Sequence, residues 1–184
     1  MSNLIYLCPS CHTKIDTIPE GELAYPIERL KSIKSEHERK AREAIEAGFA
    51  DVGFPELEEA TRWAESQTPA AVTRDLTVVG VEAKMQKNDI GGDAVAIITM
   101  GLSVANTVAA YIESVAADDP DFPERLKAGF LSEYYGARLQ GLRGSELFDA
   151  MCAFAQRGFR TYKQQAAGLA VLVHLFEACE VFEK

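Results

Sequence analysis

KQQAAGLAVLVHLFEACEVFEK, residues 163–184, closes the chain with a helical pattern that is apolar on nearly every side from Ala166 to Phe182. A helix at the surface of a globular domain carries one apolar stripe, so one that is apolar all round has to be covered over most of its circumference. This segment is read as the centre of a helical bundle or the core of an oligomer interface. Working back from it, helical patterns cover about 144–158, 123–140 and 94–117. Pro123, after ADDPDF, suits a first helical turn, Ser145 after Gly144 suits a cap, and Gly158 marks a stop. The predicted fold class is mainly α.

Ahead of the bundle stands LTVVGVEAKMQKNDIGGDAVAIITMG, residues 76–101, in which Leu76, Val78 and Ile90 are β-prone and Gly80, Gly91 and Gly92 punctuate. It predicts a short β-hairpin turning at Lys87, Asn88 and Asp89, or else a helix that begins at Asp93 with that residue as N-cap. SQTPAAVTRD, residues 66–75, has the composition of a linker, and a shorter amphipathic helix precedes it over 54–63. Further back, PIERLKSIKSEHERKAREAIEAG reads as one long charged helix that Gly48 ends. Ile27, Leu30, Ile33, His37, Ala41, Ala44 and Ile45 fall near one of its faces. The expected domains are 1–50, a connecting segment 51–75 with its short helix, and a helical association domain 76–184.

The net charge of −9 is unevenly spread: residues 1–50 hold 7 Lys/Arg against 8 Asp/Glu, and residues 51–184 hold 12 against 20. An acidic surface repels phosphate, so the larger part is expected to bind protein rather than nucleic acid. The apolar run Ala94–Leu102 is far short of the roughly 20 residues that cross a bilayer. No membrane anchor and a cytoplasmic location are expected, and in a reducing compartment Cys-x-x-Cys points to metal or redox chemistry before disulfides. Cys152 and Cys179 lie inside apolar helical patterns and are read as core residues, as are Tyr134, Tyr135, Phe148, Phe154 and Phe159, and His174 is read as a core or interface residue.

The chemistry is concentrated at the front, in NLIYLCPSCHTKID, residues 3–16. Residues 4–8 suit a strand that delivers Cys8 into a turn at Pro9 and Ser10, with a helix beginning at about Cys11; residues 18–25 read as a loop. Cys8 and Cys11 would occupy two corners of a tetrahedral zinc site, which needs four ligands. Neither Cys152 nor Cys179, His37 nor His174 has the spacing of a second knuckle.

The string resembles the second half of the HNH endonuclease motif, the ββα-metal nuclease fold, through Asn3, Leu7, Cys8, Cys11, His12 and Asp16, over about the first 40 residues. The resemblance implies that Asn3 orients a general-base histidine, that His12 binds one divalent ion such as Mg²⁺ or Mn²⁺, and that Cys8 and Cys11 are half of a structural zinc knuckle. It also implies a preceding strand with the general base, ahead of Met1, so the chain reads as incomplete at its N-terminus. SELFDAMCAFAQRGF, the terminus LVHLFEACEVFEK and the earlier KNDIGGDAV resemble the C-terminal association domains of ABC-three-component antiphage defence effectors. That likeness implies a DNA-cleaving effector held by an SMC-like ATPase and a middle subunit; a homo-oligomer would bury the apolar helix equally well. Two further readings stay open. One is a non-catalytic assembly subunit that keeps a nuclease relic or zinc turn. The other is a zinc-binding adaptor whose Lys31, Lys34, Arg39, Lys40 and Arg42 meet phosphate, against which Glu36, Glu38 and Glu43 interleave at helical spacing.

Overall fold

Thr161 starts the helix that organises the molecule: its hydroxyl accepts the Gln164 N–H at 3.2 Å, while the Gln164 side chain accepts the Thr161 N–H at 3.3 Å. This reciprocal cap satisfies two main-chain donors that a helix start otherwise leaves unpaired. The computed structural model describes residues 8–17, 19–67, 80–178, 181 and 182. Their helices are α1 (Pro9–Asp16), α2 (Glu20–Ala24), α3 (Ile27–Phe49), α4 (Phe54–Glu65), α5 (Val81–Lys87), α6 (Asp93–Ser103), α7 (Ala105–Asp118), α8 (Phe122–Leu139), α9 (Gly144–Ala155) and α10 (Tyr162–Glu177). No strand occurs among the described residues. The mainly α expectation stands at that level; the strand proposed for residues 4–8 lies, up to Leu7, outside the described residues, as do the linker residues 68–75.

The chain divides into two compact units, Met1–Ala44 and Ile45–Lys184. In the larger, α10 packs against α4, α6, α7 and α9, and α8 packs against α4, α7 and α9. Being surrounded explains the sequence of α10: Ala166, Ala167, Leu169, Ala170, Val171, Leu172, Val173 and Phe176 are essentially inaccessible. Each large apolar side chain buried this way contributes about 1.5–3 kcal/mol relative to exposure. Two glycines set how closely the helices approach. A Cβ on Gly168 would stand 1.9 Å from the Ala155 carbonyl oxygen of α9, and one on Gly129 would stand 2.1 Å from the Ala64 oxygen of α4. The helix expected at 54–63 is α4, and its Leu57, Ala60 and Ala64 belong to this core.

Several local expectations are corrected. Among the described residues the expected hairpin is absent: residues 81–87 form α5, and the Lys87–Asp89 turn leads on toward α6, while Leu76 and Val78 lie outside the described residues. The run VEAKMQK is helical, and its Lys84 is drawn into the core. Helix α6 starts one residue from the alternative reading, with Gly92 as N-cap at φ 62° and Asp93 as the first helical residue. The predicted 94–117 helix is broken at Val104 into α6 and α7, bent by 57°, where the Ser103 hydroxyl donates to the Met100 carbonyl and competes with the main-chain ladder. Gly48 does not end α3; it lies inside the last turn, where a Cβ would meet the Tyr162 carbonyl oxygen at 3.0 Å. Residues 20–24, read as loop, form the helical turn α2. Tyr135 is 59% exposed rather than core. No single helix among the described residues is long and apolar enough to cross a membrane.

In the smaller unit the supposed inner face of α3 is largely open. Ile27 is 70% and Ile33 43% exposed, as is Leu23 of α2 at 80%. The polar faces carry ion pairs within the helix, Lys31 with Glu28, Lys34 with Glu38, Arg39 with Glu36 and Glu43, and Lys40 with Glu36.

Candidate functional site

Cys8 is the N-cap of α1, in extended conformation, and its thiol accepts the N–H of Cys11 at 3.4 Å. Pro9 stands in the first turn, where its missing N–H costs nothing. The helix therefore begins two residues before the expected position, at Pro9 rather than Cys11. This start brings both exposed thiols onto one turn. The Cys11 N–H, and next the Cys11 side chain, hold the Cys8 thiol below its ordinary pKa; sharing that contact, with the charge on Cys8, pushes the Cys11 thiol up. Two soft donors so placed suit zinc, and they supply two of the four corners it needs.

His12 follows directly, its N–H bonded to the Cys8 carbonyl at 2.9 Å. One turn on, the Asp16 carboxylate lies 2.8 Å from His12 Nδ1, and both side chains are exposed. A carboxylate on one imidazole nitrogen fixes the ring and leaves the other, Nε2, as the donor for a metal. The sequence reading assigned Asp16 no role, although its i,i+4 spacing from His12 on a helix carries the signal for this contact.

The described residues contain no group of three or more His, Cys, Asp or Glu side chains placed to hold a metal ion. Cys8, Cys11 and His12 thus share one turn as a half-site: two thiols at its start and an oriented imidazole beside them. Asn3 lies outside the described residues. His37 sits exposed on α3 and joins no such group. Cys152 is buried, and burial raises its thiol pKa far above the usual range. His174 is half-buried on α10, and Cys179 lies outside the described residues. The cations of α3 are tied to neighbouring carboxylates, so the phosphate-binding role considered for them meets local competition.

The larger unit has an open cleft of about 880 Å³ between the α5–α6 turn and the start of α9. It is lined by charge of both signs, Lys87, Arg138 and Arg143 with Asp93, Glu146 and Asp149. Burial first, then Asp93 and Glu146, raise the Asp149 carboxyl above its ordinary pKa. Its rim is tied together by Ser145, whose hydroxyl accepts the Gly91 N–H at 3.1 Å. Ser145 therefore joins two loops instead of capping its own helix. No protein-family model, curated protein or solved structure matches the chain.

Proposed function

We propose that the chain is an HNH-type, metal-dependent DNA endonuclease effector, with a nuclease front end on α1 and a helical assembly unit behind it. One observation carries the reading: Cys8, Cys11 and His12 occupy a single exposed turn in which Asp16 holds His12 Nδ1. Cys8 and Cys11 are assigned to a structural zinc, His12 Nε2 to a Mg²⁺ or Mn²⁺ ion, and Asn3 to orienting the general base. A divalent ion there supplies charge stabilisation for the phosphate and the leaving oxygen. The residues fit that chemistry in part, so the remaining donors and the general base are assigned to a region outside the described residues or to a second chain. The acidic helical unit supports a protein-binding role, which agrees with an antiphage defence effector held by an SMC-like ATPase and a middle subunit.

Cleavage of supercoiled DNA in Mg²⁺ or Mn²⁺ tests this. The chain supplied with the remaining donors and the general base should nick or linearise DNA, His12→Ala in it should abolish cutting, and Asp16→Asn should slow it by about 10–100-fold, as loss of an outer carboxylate does. Cutting that His12→Ala leaves intact would overturn the assignment. A second reading, a non-catalytic assembly subunit that keeps the zinc turn, is favoured by the lack of a three-donor group among the described residues. Metal binding without cleavage of any DNA would select it.

A further inference from the structure

Cys8 and Cys11 are both exposed, so a reagent from solution reaches either thiol, whereas Cys152 is buried and does not compete. Cys8 is the N-cap of α1 in extended conformation, and its sulfur accepts the Cys11 N–H at 3.4 Å. The sulfur of one cysteine is thus already folded back over the residue that carries the other, and the two side chains interact directly. Bonds that involve neither sulfur hold this turn. The His12 N–H reaches the Cys8 carbonyl at 2.9 Å, and the Thr13 hydroxyl donates to the Pro9 carbonyl at 3.0 Å. Pro9, whose ring fixes φ, and Ser10 are the residues between the thiols. Little chain entropy is left to lose when a bond joins the two sulfurs.

We infer that Cys8 and Cys11 are a redox modification site, a dithiol that a low-molecular-weight disulfide such as oxidised glutathione converts to an internal Cys8–Cys11 disulfide. In the first step one cysteine sulfur, as thiolate, attacks the glutathione disulfide; its S–S bond breaks and one glutathione leaves with the electron pair. In the second step the other cysteine sulfur attacks the mixed disulfide at the protein sulfur and the second glutathione leaves. The protons of the two cysteines pass through solvent to the two departing glutathiones. The chain is oxidised by two electrons, and one glutathione disulfide is reduced to two thiols. Reduced glutathione reverses both steps, since an exposed disulfide is of the labile kind. Zinc is held by thiolate, so the bond removes the two donors assigned to zinc; this consequence alone rests on the proposed metal site.

The test uses the full chain, freed of metal with a chelator, incubated with oxidised and dilute reduced glutathione, quenched in acid and read by peptide mass spectrometry. The wild-type peptide that carries both cysteines should be lighter by two hydrogens. Cys8→Ser and Cys11→Ser should each stop at the mixed disulfide. The wild type should hold at least about tenfold less glutathione adduct than either variant, because a thiol in the same turn competes at millimolar or higher effective concentration. A wild-type chain that stays a dithiol, or that gathers adduct as the single variants do, overturns the inference. The oxidised and reduced chains are then dialysed against zinc. Zinc on the reduced form alone supports the loss of donors, and equal zinc on both overturns it. Zinc on neither form contradicts the metal assignment and leaves the disulfide standing.

Discussion

Cys8 and Cys152 show how placement alone divides two identical side chains into different chemistries. Cys8 stands exposed at a helix start with a main-chain N–H on its sulfur, and Cys152 is sealed in the core. As pH rises, the lowered Cys8 pKa brings its thiolate in before that of Cys11. Timed iodoacetamide labelling with peptide mass spectrometry should therefore find Cys8 modified first, with its rate rising at lower pH than for Cys11. Cys152 should react only after denaturation. Lys84 belongs to the same scale: Lys84→Met keeps the apolar stem but leaves two buried carbonyls without their donor, and should cost about 1–3 kcal/mol in urea unfolding. An unchanged midpoint would show that the carbonyls find other partners. That Cys8, Cys11 and His12 share one turn was legible from their spacing. The role of Lys84 was not, since its partners lie 92 and 97 residues away.

Helix α10 is the element whose all-round apolar pattern declared its position, and the structure places it at the centre. The same pattern could not show which glycine carries the packing. Gly168 faces the Ala155 carbonyl of α9, so Gly168→Ala forces two helices apart and should destabilise by about 1–3 kcal/mol, despite alanine's better helix propensity. A stabilised variant in the same urea titration would refute that account. Residues 81–87 are helical where a strand was expected, with Lys84 drawn into the bundle, which local propensity does not register. The α7–α8 connection adds a pH-sensitive clasp. Arg125 pairs with Asp119 at 2.5 Å and with Glu65 of α4 at 2.9 Å. Hydrogen bonding from Arg125 holds the Asp119 carboxyl below its ordinary pKa. A depressed folded-state pKa contributes stability above the unfolded carboxylate value, and that contribution is lost as pH falls through the folded one. Thermal melts from neutral pH downward should thus show a smaller acid-induced fall for Asp119→Asn than for wild type. Equal falls would assign the acid sensitivity elsewhere.

At the scale of the whole molecule, charge and apolar surface separate the two units. Residues 51–184 carry the excess acid and the large core, while the front unit carries the metal-type turn and the open apolar residues Leu23, Ile27 and Ile33. The helical class was readable from pattern, as was the turn that gathers Cys8, Cys11 and His12. The position of α4 in the core, the division at Ala44 and the burial of Lys84 emerge only from contacts between distant segments. The central claim is that the first turn of α1 binds metal, and elemental analysis of the purified chain beside a Cys8→Ser/Cys11→Ser double variant tests it most directly. The account predicts zinc that co-purifies with the wild-type chain and is lost from the double variant. A wild-type chain without bound metal after zinc loading, or one whose zinc survives both substitutions, would contradict it.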